Sequence, residues 1–115
     1  MTIAEKTYED YEHEFNLINT DFPNARFTIA IDYDKLDDVL SLQRTIYVLD
    51  KRECYCYCNN PVETKVFKIT SNEPISNRIV LKELIRRGHT LDCNHHFLEG
   101  FHQLNSAMFE IMKGS

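Results

Sequence analysis

Cys54, Cys56 and Cys58 alternate with Tyr55 and Tyr57. On an extended strand this pattern puts three thiols on one face and two phenols on the other. Further along, Cys93 is accompanied by His89, His95 and His96. Thiolates and imidazoles are the ligands of tetrahedral zinc. Cys54, Cys56, Cys58, Cys93 and His95 are therefore the candidate metal ligands, and zinc is the one cofactor the composition suggests. The spacing argues against it. Zinc sites draw their cysteines from turns with two intervening residues, whereas residues two apart on a strand stand about 7 Å apart between Cα atoms. The competing expectation is no cofactor, with small soft side chains packed on a sheet. A disulfide within the run is disfavoured by the same geometry.

The run Asp92-Cys93-Asn94-His95-His96, with Glu99, holds every part of a Cys–His nucleophilic site. Such a site needs a thiolate beside an imidazole and a third group to orient the ring. Those groups normally arrive from separate elements, and nothing nearby supplies an oxyanion hole, so the expectation is a protein that is not an enzyme. The same corner offers Arg86, Arg87, His89, His95 and His96 to a small anionic, nucleotide-like ligand, since guanidinium forks match phosphate. Against that stands the ordinary use of cations in a last helical turn, where they complement the helix dipole from a solvated face.

These residues must be positioned by the elements around them. Ser76 begins a helix that runs to Arg87: it is an N-cap, with Ile75 and Val80 spaced as a hydrophobic staple and Pro74 just outside. Val80, Leu81, Leu84 and Ile85 form the apolar stripe, and Arg78, Lys82, Glu83, Arg86 and Arg87 take the other side. Gly88 stops the helix. Residues 4–18 place Ala4, Tyr8, Tyr11, Phe15 and Ile18 on one face of an acidic helix, with Thr7 and Asp10 as a capping pair. That helix either lies on the sheet or forms an arm that docks on a partner.

Residues 26–33 alternate as a half-buried strand. Residues 34–42 are ambiguous, with Leu36, Val39 and Leu40 giving a helical turn or two behind Asp34. Residues 45–49 are strand-like, and Asp50-Lys51-Arg52-Glu53 reads as a polar hairpin connection to a strand over 54–59. A strand follows over 62–70. Residues 97–104 and 107–112 form a closing hairpin around Asn105-Ser106, with Gly100 marking a bulge or a close backbone approach. The order implies α+β: a mainly antiparallel sheet of about five or six strands packed on a central helix at 76–87, with the N-terminal helix added. All 115 residues fall in one domain, an acidic helix over 1–22 and the sheet and central helix over 26–113.

The net charge of -5 argues against general binding of nucleic acid or anionic membrane. The first residues lack the apolar stretch of a signal peptide, and no run is long enough to span a membrane. The four cysteines are accordingly expected to be reduced, in an intracellular, cytoplasmic setting. A sheet of this size leaves an edge or a face to be covered, and aromatic side chains favour interface centres. The leading expectation is a small protein-interaction module that binds a protein partner through Tyr47, Tyr55 and Tyr57, as a homodimer. A viral or mobile-element accessory protein is compatible with that type. The anionic-ligand binder and the zinc-stabilised domain are the alternatives.

Overall fold

Both helices start where their side chains can satisfy the first free amides. Thr7 caps α1, Tyr8–Asp21, in a reciprocal box: its hydroxyl accepts from Asp10 N at 3.2 Å, and Asp10 accepts from Thr7 N at 3.0 Å. Ser76 caps α2, Asn77–Arg86, accepting from Ile79 N at 3.3 Å. Gly88 (φ +68°) takes the left-handed conformation that ends α2. Ser76→Ala should therefore cost about 1 kcal/mol in urea denaturation, the usual effect of a lost cap.

The structure, a computed structural model, describes residues 7–51, 63–91 and 96–114. The strands are β1 (Thr28–Ile29), β2 (Val39–Ser41), β3 (Thr45–Lys51), β4 (Thr64–Thr70), β5 (Ile75–Ser76), β6 (Phe97–Asn105) and β7 (Met108–Gly114), with a 3-10 turn at Tyr33–Lys35. Five of them form one sheet in the order β1-β6-β7-β3-β4, and β2 pairs with β5 in a small separate ribbon.

The α+β class holds, but the sheet is mixed rather than mainly antiparallel. The hairpin partners β3–β4 and β6–β7 are antiparallel, whereas β1–β6 and β3–β7 are parallel. β6 and β7 are joined by the short turn at Asn105–Ala107, whereas the two parallel pairs bring together strands distant in sequence. Nor is α2 the hub. It packs through Val80, Leu81 and Leu84 beside β4 and β5, while the shared core also draws Ile18 and Phe22 from the end of α1 and Phe27, Ile29, Ile31 and Leu36 from the segment after it.

The alternation expected over 26–33 does bury Phe27, Ile29 and Ile31, yet the ladder holds only two residues. In the ambiguous stretch over 34–42, Leu36 is buried in the core, and Val39 is exposed on β2. The closing hairpin forms as expected. Asn105 Oδ1 accepts from Ala107 N at 2.9 Å in the turn, and the register shifts between Leu98 and Gly100.

The sheet has an inner and an outer face. Ile46, Val48 and Asp50 of β3, Phe67 and Ile69 of β4, and Phe109, Ile111 and Lys113 of β7 point inward. Asp50 and Lys51 thus belong to a strand and not to a connecting turn, which corrects the polar-hairpin expectation. The cysteine–tyrosine run at 54–58 lies outside the described residues.

α1 is fastened at its C-terminal end. Arg78 of α2 donates from Nε to Asp37 at 2.8 Å and from Nη1 to Asp21 at 3.0 Å, and its guanidinium lies 5.7 Å from the Phe22 ring. The Tyr33 hydroxyl donates to the same Asp21 carboxylate at 3.2 Å. The hydrogen bond from Arg78 holds the Asp37 carboxyl below its ordinary value.

Candidate functional site

Two places bear on function: a buried ionic cluster under the expected Arg–His corner, and the outer face of the sheet. The cluster joins three elements. β3 supplies Asp50, the residue after the Gly88 stop is His89, and β7 supplies Lys113. His89 Nε2 stands 2.7 Å from Asp50 Oδ2, and Lys113 Nζ stands 2.7 Å from Asp50 Oδ1. Lys113 also donates to the Lys51 carbonyl at 2.6 Å. Phe67 closes one side, its ring edge-on to His89 with centroids 4.6 Å apart.

Burial by itself would push the Asp50 carboxyl up. Hydrogen bonds from His89 and Lys113, with the charge of Lys113, outweigh it and hold the carboxyl below its ordinary value. Asp50 is therefore an anion at neutral pH, and the facing nitrogen of His89 carries a proton that it donates.

An aspartate that orients a histidine is half of a nucleophilic relay. The relay is not completed here. The His89 side chain is only 1 % exposed and Asp50 is fully buried, so no substrate reaches the ring. Among the described residues, neither the groove between α1 and β1 nor the cleft at Asp21, Phe22 and Lys82 includes any of the three residues. The arrangement instead ties two strands of the sheet to the end of α2.

The other expected site residues are spread out. Arg86 pairs with Glu83 at 2.7 Å on an exposed helical surface. Arg87 donates to the Lys68 carbonyl of β4 at 2.6 Å and lies 5.8 Å from the Phe67 ring. His96 is exposed, its ring 4.6 Å from that of Phe97. The three point to a carboxylate, a backbone carbonyl and a phenyl ring. Cys54, Cys56, Cys58, Cys93, His95, Tyr55 and Tyr57 lie outside the described residues. Among the described residues no group of three or more His, Cys, Asp and Glu is arranged to hold a metal.

Sequence reasoning missed Asp50 and Lys113 as partners of His89. The available signal was β3 itself: the alternation through Ile46 and Val48 puts Asp50 on the same face.

The outer face carries Tyr47 and Leu49 of β3, Val66 and Lys68 of β4, and Met108 and Glu110 of β7, placed side by side by the register, with Met112 further along β7 opposite Gly100 of β6. Tyr47 is 38 %, Met112 47 % and Val66 57 % exposed. Lys51 and Glu110 pair across it at 3.8 Å. An apolar patch on one face of a sheet, edged by charges of both signs, is what an interaction surface requires.

These features define a small α+β protein with a mixed five-stranded sheet, its ionic centre sealed and one sheet face open. The chain matches no protein-family model, no curated protein and no solved structure. Among the described residues, no helix is long and apolar enough to cross a membrane.

Proposed function

We propose that this protein is an interaction module that pairs with a second copy of itself through the outer face of the sheet. The observation that carries this reading is the exposure of Tyr47, Val66 and Met112 together on a rigid, strand-borne surface. Charge supports the choice of partner. The chain as a whole carries -5, but this face holds Lys51 and Lys68 beside Glu110, so a copy related by a twofold axis meets opposite as well as like charges.

Size sets the strength. Strands of this length span roughly 23 Å, and four of them side by side roughly 19 Å, giving on the order of 450 Å² per copy in projection. That is below the ~800 Å² per partner of a standard stable interface, so the pairing is weak and concentration-dependent. Sedimentation equilibrium should show a monomer–dimer equilibrium that Tyr47→Glu abolishes while the far-ultraviolet circular dichroism stays unchanged. A strict monomer at millimolar concentration would remove the proposal.

A further inference from the structure

The outer face of the sheet carries the thioethers of Met108 and Met112, and the structure gives them different surroundings. β7 alternates across the sheet. Phe109 and Ile111 enter the core, at 1 % and 4 % exposure, while Met108 and Met112 stand on the outer side. Met108 is half-buried and lies in register beside Tyr47 of β3. Met112 is 47 % exposed and lies opposite Gly100 of β6, next to the register shift between Leu98 and Gly100. Its sulfur sits 4.0 Å from the point where a β-carbon on Gly100 would stand. The thioether therefore rests over bare backbone at the surface, outside the buried core.

From this placement we propose that Met112 is an oxidation site through which peroxide controls self-association. The inference rests on the outer-face pairing proposed above and names its regulation. A lone pair on the Met112 sulfur attacks one oxygen of hydrogen peroxide and the O–O bond breaks. The sulfur keeps that oxygen, whose proton passes to the departing hydroxide, and water leaves. The thioether loses two electrons and the peroxide gains them, giving the sulfoxide. Exposure sets the order of reaction, so Met112 reacts ahead of Met108. The sulfoxide is polar and is hydrated in the single chain. A second copy brought against it strips that water, and the apolar part of the facing surface does not replace it. Pairing weakens while the fold stays, because the sulfur lies outside the core.

The test uses the full chain. Its cysteines are held as mixed disulfides during treatment with hydrogen peroxide and released afterwards with dithiothreitol, which leaves methionine sulfoxide in place. Peptide mass spectrometry should show one oxygen added at Met112 well before Met108. Sedimentation equilibrium should then show the dissociation constant raised at least about tenfold, the effect of burying one poorly paired polar group, with the far-ultraviolet circular dichroism unchanged. Methionine sulfoxide reductases should return the original constant. Met112→Leu should give the same constant before and after peroxide, whatever that constant is. The inference is overturned if Met108 reacts as fast, if sulfoxide at Met112 leaves pairing unaltered, or if the reductases restore nothing. It is overturned equally if Met112→Leu still responds or if oxidation unfolds the chain. Each of those results leaves the pairing of the untreated protein standing. A monomer before any peroxide is added is a different failure: it removes the pairing itself, and this inference with it.

Discussion

Asp50→Ala is expected to be close to unfolding the protein at neutral pH. The substitution removes a carboxylate with no exposure and leaves Lys113, itself mostly buried, without its anion 2.7 Å away and His89 without its acceptor. Breaking a buried pair by deleting one partner costs about 3–5 kcal/mol, most of it the cost of the stranded charge. A domain of this kind has about 5–15 kcal/mol in total. Urea denaturation should accordingly show the midpoint falling to a small fraction of its original value, or no folded baseline at all. The control removes the stranded cation as well: Asp50→Leu with Lys113→Met should recover the share of the loss due to Lys113, because apolar replacement of a buried pair is often neutral or better, while the share due to His89, still without its acceptor, remains.

Acid gives the same carboxylate a second readout. The folded-state value of Asp50 lies below its unfolded value, so the unfolded chain binds the proton more readily. The stabilisation is full above the unfolded value of about 4 and is lost as pH falls through the lower folded value. Stability should decline with acid below about pH 4 in the native protein, and less steeply in Asp50→Asn, measured on whatever folded fraction that variant retains.

That this carboxylate matters was hidden by its neighbours in the chain. Asp50-Lys51-Arg52-Glu53 has the composition of a solvated turn, and charge runs usually are one. Only the register of β3 places Asp50 on the inner face, and the histidine it meets lies 39 residues away. Features whose cause is local were legible. The Ser76 cap, the Gly88 stop, the Thr7–Asp10 box, the Gly100 bulge and the turn at Asn105 all follow from side chains acting within a few residues of themselves.

Features set by distant pairing were not legible. The parallel ladders β1–β6 and β3–β7 depend on which strand ends up beside which, and β5 is two residues long because Ile75 and Ser76 serve both as a strand and as the approach to α2. The stripe on α1 was legible as a stripe, but periodicity records only that one face is apolar. It does not record that Tyr8, Tyr11 and Phe15 would border an open groove instead of entering the core.

Leu84→Glu is the other change expected to have a very large effect, and it examines the part of the fold that sequence described best. Leu84 is fully buried on α2, in the core cluster with Val80 and Leu81. Losing its burial removes about 2–3 kcal/mol of apolar transfer. Leu84→Ala, which adds only the resulting cavity, should cost about 2–5 kcal/mol. Glutamate goes further, because its carboxylate must be desolvated or forced to take a proton. The nearest turn of the helix offers no remedy: Arg86 is already paired with Glu83, and Arg87 already donates to the Lys68 carbonyl of β4. Circular dichroism should show Leu84→Glu unfolded at 25 °C, Leu84→Ala folded with a clearly lowered midpoint, and Lys82→Gln, on the exposed face two residues away, within about 0.5 kcal/mol of the native protein. A folded, cooperative Leu84→Glu would mean that α2 is not held by its apolar stripe, and that the clasp at Arg78 and the bond from Arg87 to β4 carry the helix instead.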